Sequence, residues 1–446
     1  MDSSTPDREG SDPPEERAYP VLADDGVPTP RVFPGLISSD QINPDGVRVL
    51  RRLARFDHTA YLVGGGVRDL LLGKEPKDFD VATSARPNEV KRLFRNCRLI
   101  GRRFRLAHIL FAGGHIIETA TFRRDPDASG PVESLEAVGS DGETVLSPSP
   151  KEREGDTDLL IRQDNVFGLP HEDAIRRDFT INGLFYDLAR QEVIDYVGGV
   201  ADLEGRVLRT IGEPDVRFRE DPVRILRAIK FSARLDLGIA PEVYDAMVSQ
   251  CDELSRSAPP RVFEEVLRLL RGGAAQRSIY LAWDMGVLGV ILPELTAFLD
   301  DEADDAQALW GRLSAVDLLH SEGRLPSDTV LLGALLYGPM QEAVVSSQNP
   351  AAAFEEFFED MTSRLPIPRR TRDRLRLVFA AQRRLDRGRT SGMRRREFFL
   401  DALALYECRL RADGQELPEW VIEGGAEDVP RDPGPRPRRR KRPSRS

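Results

Sequence analysis

A chain of 446 residues, 40% of them hydrophobic, exceeds one ordinary domain and can bury two to four cores. No run approaches the roughly 20 apolar residues of a membrane helix, and the N-terminus MDSSTPDREGSDPPEERAYP lacks a signal-peptide segment, so the expected compartment is the cytoplasm. The three scattered cysteines argue against a disulfide framework or structural zinc, and the net charge of −10 argues against a uniformly basic nucleic-acid binder.

Residues 1–38, rich in Pro, Asp, Glu and Ser, are expected to be a disordered acidic tail. A helix is predicted from Ser39, capped by Ser39 or Asp40, with Val47, Leu50, Leu53 and Phe56 on its apolar face. Strand Ala60 to Val63 follows, then the Gly64, Gly65, Gly66 turn, a helix over Val67 to Leu72, and a strand carrying Asp78 and Asp80. Pro87 opens the next helix; Cys97 to Ile100, Ala107 to Phe111 and His115 to Phe122 read as strands. Residues 125–160 lose apolar periodicity and are predicted to be a flexible insertion. Asp173 to Leu188 reads as a helix running into a strand, and Glu192 to Tyr196 as another strand. Beyond residue 205 the pattern is almost wholly helical, beginning with Asp221 to Leu235, and it ends in the basic stretch RDPGPRPRRRKRPSRS. The expected organisation is a catalytic head at 39–205, a helical neck at 206–275, an all-α body at 276–423 and a disordered basic tail at 424–446.

Three patterns carry chemistry. Asp78 and Asp80 flank Phe79, so a strand would point both carboxylates to one face and Phe79 into the core. Two acids on one face suit a divalent cation, and the glycine turn with Arg68 suits phosphates. Glu118 on a neighbouring strand is either a third acid over that site or a solvated strand residue. The second pattern is RRDFTINGL, in which Arg177, Asp178 and Asn182 alternate with Phe179, Ile181 and Leu184. An Arg for phosphate, an Asp for ribose hydroxyls and an Asn amide suit a nucleotide, although capping and ion pairs explain the same residues. The third is EDPVRILRA, where Asp221, Arg224 and Arg227 fall at i, i+3 spacing on a helix. Asp221 could accept from the exocyclic amine of adenine while Arg224 donates to a ring nitrogen; a surface ion-pair ladder is the other reading.

LVGGGVRDLLLG, KDFDVATSA, RRDFTIN, DYVGGVADLEGRVLRTIG and EDPVRILRAIKFSARL, in this order, resemble the class II branch of the polymerase-β-like nucleotidyltransferases. That branch includes bacterial poly(A) polymerases and CCA-adding tRNA nucleotidyltransferases. The resemblance spans roughly residues 35 to 275. It implies an α+β nucleotidyltransferase head with a small mixed sheet, followed by an all-α neck, body and tail. It implies template-independent transfer of AMP from ATP to the 3′ ends of RNA, promoting decay, with two Mg²⁺ ions. Asp78 and Asp80 would hold the metals, Gly64, Gly65 and Arg68 the triphosphate, Asp178 the ribose, and Asp221 with Arg224 the base. The segment Phe94 to His108 looks like the poly(A) polymerase version. Its Arg102, Arg103 and Arg105, with Arg438, Arg439, Arg440, Lys441 and Arg442 of the tail, are expected to grip RNA phosphates of mRNA, decay intermediates or tRNA. CCA addition to tRNA is the rival within the family, and a catalytically silent RNA-binding protein the rival outside it.

Overall fold

The computed structural model describes residues 28–101, 106–124, 166–301 and 304–422. Arg102, Arg103 and Arg105, nearly all of the 125–160 insertion with its flanks, and Arg438, Arg439, Arg440, Lys441 and Arg442 lie outside the described residues. Two compact units meet in sequence at Ser257 and Ala258.

In the first unit the chain runs β1 (Arg31–Pro34), α1 (Pro44–Arg55), β2 (Ala60–Val63), α2 (Gly65–Leu71), β3 (Asp80–Thr83), α3 (Pro87–Leu93), β4 (Cys97–Ile100), β5 (Leu106–Leu110) and β6 (Ile116–Thr121). After the insertion come α4 (Pro170–Ile175), β7 (Leu184–Asp187), β8 (Glu192–Asp195), α5 (Gly199–Glu204), α6 (Pro214–Glu220), α7 (Val223–Leu235) and α8 (Pro241–Ser249). The eight strands form one sheet in the order β1-β8-β7-β2-β3-β6-β5-β4. Only the β3–β6 pairing is parallel, so the sheet is mixed, as the resemblance implied. Val63, Ala82, Phe122, Phe185 and Ile194 form its core, with Ala174 of α4 packed in.

Local chemistry explains most boundaries. Asn43 caps α1 by accepting from the Asp45 N–H at 2.8 Å, and Pro44 occupies the first turn. The buried stripe of α1 is Val49, Leu50 and Leu53; Phe56, expected inside, is exposed because it lies past the end of the helix. The expectation of disorder to residue 38 is corrected at its end. Arg31 to Pro34 pair antiparallel with Glu192 to Asp195, so the partner strand supplies the order that RVFP lacks on its own. Helix α2 also starts earlier than predicted, at Gly65, because Gly66 packs against the backbone of the Asp78 lead-in.

From Ala258 the described chain is helical. Its centre is the helix Asp328–Val345, buried around most of its circumference, as expected of a helix apolar on every side. Arg324 closes a bidentate pair on Glu407 at 2.8 and 2.6 Å. No helix among the described residues is long and apolar enough to cross a membrane.

At Gly199 an added Cβ would stand 2.2 Å from the Thr180 carbonyl oxygen, whereas at Gly46 in α1 it would make only ordinary contacts at 3.7 Å. We expect Gly199→Ala to cost about 1–3 kcal/mol through overpacking, and Gly46→Ala to stabilise by about 0.5–1 kcal/mol. Denaturant unfolding of the first transition measures both; equal effects would contradict the packing described.

Candidate active site

The middle of the sheet positions the acids. Val81 of β3 pairs with Thr119 of β6, and both side chains are buried. The preceding residues, Asp80 and Glu118, therefore share the opposite face. Asp78 lies in the lead-in to β3 rather than on the strand, yet buried Phe79 keeps the alternation that was expected. Burial raises the Asp80 carboxyl most, and Glu118 and Asp78 add to it, so that it reaches about 6 despite the pull of Arg177. Glu118 is half-exposed and leans on His108 of β5, with Nε2 to Oε1 at 3.3 Å.

Among the described residues no group of three or more His, Cys, Asp or Glu side chains is arranged to hold a metal ion. Mg²⁺ does not require one, since it commonly takes one or two carboxylates plus substrate phosphates. The mutual repulsion at Asp80 is the observation that fits: a hard dication beside Asp78 and Asp80 would relieve it.

The glycine turn faces two arginines: Arg68, as expected, whose Nη2 would lie 3.5 Å from a Cβ added at Gly65, and Arg177. Gly64 has φ +64°, which favours glycine, and an added Cβ would lie 3.0 Å from Arg177 Nη1. Arg177 donates from Nη2 to Asp173 Oδ2 at 2.8 Å and from Nη1 to the Asn182 carbonyl at 3.1 Å, and it lies over Phe185. Its charge reaches both the turn and Asp80. Arg68 is only 4% exposed. It donates twice to Asp69 Oδ1, at 2.8 and 2.7 Å, and once to Asn182 Oδ1 at 2.6 Å. Three of its five N–H donors are thus engaged inside the protein, and it ties α2 to the Thr180–Asn182 turn.

Asp178 is buried in the same lattice. It accepts from Asn182 Nδ2 at 3.0 Å, from the Phe179 N–H at 2.9 Å and from Arg227 Nε at 2.7 Å. Burial alone would raise its carboxyl; Arg227, Asn182 and the Phe179 N–H outweigh that and hold it at about 2. Arg68 and Arg227 both lie over the Phe231 ring, at 5.0 and 5.8 Å.

Asp221 and Arg224 do not share one helix. Asp221 ends α6 with φ −148°, and Pro222 starts the next turn, since a proline cannot continue the preceding helix. The break sets Asp221 half-buried beside Arg224, whose Nη1 donates to Glu220 Oε2 at 2.9 Å and to the Arg217 carbonyl at 2.8 Å. Arg217 donates to the same Glu220 oxygen at 2.8 Å and to the Arg176 carbonyl at 2.9 Å. Glu220 therefore bridges two buried arginines and fixes Arg224.

Arg68, Asp178, Asn182 and Arg227 thus join in one network, Asp78, Asp80 and Glu118 form an acidic face, and Gly64 abuts Arg177. Sequence reasoning missed Asp69, Asp173, Arg217, Glu220 and Phe231, which orient the others. The i, i+4 spacing of Asp173 with Arg177, and of Glu220 with Arg224, was the available signal.

The fold around this site is found in solved nucleotidyltransferases. A crystal structure of the Bacillus stearothermophilus CCA-adding enzyme in complex with CTP superposes with a TM-score of 0.61 at 23% identity, covering 86% of this chain and 82% of that one. A Thermotoga maritima CCA-adding enzyme complexed with tRNA gives 0.53 at 18% identity over the same shares. By class, the protein is a nucleotidyltransferase. Residues 60–209 match the family described as the poly A polymerase head domain, and residues 236–299 the probable RNA and SrmB-binding site of polymerase A. Poly(A) polymerase I of Salmonella typhimurium is 37% identical over 438 residues, 91% of this chain and 90% of that enzyme. The Levilactobacillus brevis CCA-adding enzyme is also 37% identical, but over 234 residues, 52% of this chain and 51% of that enzyme. The chain belongs to the poly(A) polymerase family.

Three measurements probe the charges. Titrating Mg²⁺ at pH 8, where Asp80 is ionised, is expected to raise the Tm of the wild type and to raise that of Asp80→Asn much less; equal shifts would place the cation elsewhere. For the metal-free protein, a carboxyl raised from 3.8 to about 6 makes folding less favourable as pH rises through that window. Asp80→Asn should therefore melt above the wild type at pH 8 and level with it near pH 4. Arg227→Ala strands the Asp178 carboxylate and is expected to cost roughly 3 kcal/mol or more. Adding Asp178→Asn should recover part of that loss in a double-mutant cycle, and strict additivity would show that the two residues are uncoupled.

Proposed function

We propose that the chain transfers AMP from ATP to the 3′-hydroxyl of RNA without a nucleic-acid template, building poly(A) tails that promote decay. The observation that carries this reading is the likeness to poly(A) polymerase I across 91% of the chain, well into the second unit, where the CCA-adding relative matches only 52%. The reaction forms a bond from the RNA 3′-oxygen to the α-phosphorus of ATP and breaks the bond to the β-phosphate, releasing pyrophosphate. In this reading the close backbone approach at Gly64 and Gly65, with Arg68 and Arg177, takes the triphosphate. Asp178 offers its carboxylate to a ribose hydroxyl, sharing it with Arg227. Asp221 and Arg224 meet the adenine edge, with Glu220 holding Arg224 at a fixed angle, so the protein supplies the selectivity that a template would otherwise give. Asp78 and Asp80 hold Mg²⁺, expected as two ions, which would acidify the attacking hydroxyl and neutralise charge on the leaving pyrophosphate. Three free cysteines, two of them buried, suit the reducing cytoplasm as the site of this work.

CCA addition is the second reading, favoured by the 37% identity of the Levilactobacillus brevis enzyme within its matched 234 residues. Offering each nucleoside triphosphate singly, with unstructured RNA and with tRNA lacking its 3′ end, separates the two. Long tails from ATP alone are expected, and Asp80→Ala should abolish them. A stop after CCA on tRNA, with no tails on other RNA, would overturn the proposal.

A further inference from the structure

The helix Arg369–Leu385 in the second unit carries arginines that its fold does not use. Arg369, Arg376 and Arg383 are seven residues apart, hence on one face, and all three are exposed, Arg369 standing 3.9 Å from the Asp373 carboxylate. At 1.5 Å per residue they span about 21 Å. Other arginines nearby are structural: Arg374 pairs with Asp401, and Arg384 donates to the Ser391 carbonyl at 2.9 Å. Arg376 and Arg383, by contrast, enter no ion pair or hydrogen bond among the described residues. Both line a cavity of about 510 Å³ whose other wall includes Tyr337, Phe354 and Phe379. These rings pack in a row, with centroids 5.2 and 6.4 Å apart. Arg409 closes one side, 4.7 Å from the Tyr337 ring and held there by Asp386 at 3.1 Å. Arg376 also lines the neighbouring depression, where Arg369 and Arg372 only match the two acids Glu355 and Asp373 until Arg376 is added, so the cationic stripe is continuous with the cavity.

We propose that this stripe and cavity form a second site for single-stranded RNA, lying outside the matched RNA-binding segment at 236–299. The proposal rests on RNA being the substrate. A cavity of this size takes a planar base against the half-buried Phe379 ring, which any base satisfies, while the arginines track the flanking phosphates. A free nucleotide would not need the 21 Å stripe, and an acidic peptide would not need the cavity. Such a site governs how long RNA is retained between additions, not which nucleotide is added.

The full chain is tested as wild type, Arg376→Glu/Arg383→Glu and Ala380→Trp. Ala380 is exposed and lines the cavity, so the indole fills it while both positive charges remain in place. The double charge reversal is expected to weaken binding of a long oligoadenylate about tenfold and to lower the salt slope by roughly 1.4, two contacts at about 0.7 each. Ala380→Trp should weaken binding with the slope unchanged. In both, transfer of a single AMP to a saturating short RNA should proceed at the wild-type rate, and tails on long RNA should shorten. Wild-type affinity and slope in both variants would overturn the site. Loss of polyglutamate binding with RNA binding intact would assign the face to an acidic protein and equally overturn it. Absence of AMP transfer by the wild type would instead sink the functional reading, while the binding curves still decide the site.

Discussion

Burying the Asp178 carboxylate carries a desolvation cost of several kcal/mol, and three donors offset it, two from its own turn and one 49 residues away. Phe179 supplies its own N–H, Asn182 an amide, and Arg227 a guanidinium from α7. Asn182 can serve Asp178 only because its oxygen is turned to Arg68, and Arg68 is held in turn by Asp69. One charged lattice therefore locks α2, the Thr180–Asn182 turn and α7 into a single arrangement. The Phe231 ring beneath Arg68 and Arg227 excludes water from it, which keeps each charge-assisted bond strong.

Two aspartates a hundred residues apart are driven in opposite directions by this architecture. Asp178 is surrounded by donors and held at about 2, a permanent anion. Asp80 is raised to about 6 by burial first and by the neighbouring Glu118 and Asp78 second. The first carboxylate is satisfied by donors of the protein, the second faces other acids, and residue type alone does not reveal that contrast.

Arginine shows the same division of labour. Arg68, Arg217 and Arg224 are almost wholly buried and spend their donors on carboxylates and backbone carbonyls. Arg376 and Arg383 are exposed beside a cavity. A chain with net charge −10 can therefore carry local cationic surface, because many of its positive charges are neutralised internally and the remainder are concentrated.

The sequence by itself determined the elements whose cause is local. Strands Ala60–Val63 and Cys97–Ile100 fall where alternation and turn residues put them, and the order of the glycine turn, acid pair and EDPVR segment was enough to indicate the reaction class. It also placed Phe79 inside and the two acids outside, since strand geometry has a fixed period. Tertiary structure alone decided what those side chains face. RVFP became a strand because an edge of the sheet was open to it. Asp221 and Arg224, read as one helical face, stand instead either side of a helix break, where Glu220 and Arg217 fix the second of them. Arg68, read as a phosphate ligand beside the glycine turn, also bonds Asp69 and Asn182, the latter 114 residues away. A guanidinium carries the same charge whether it meets a ligand or a neighbour, and only the folded chain determines which partner comes within hydrogen-bond reach.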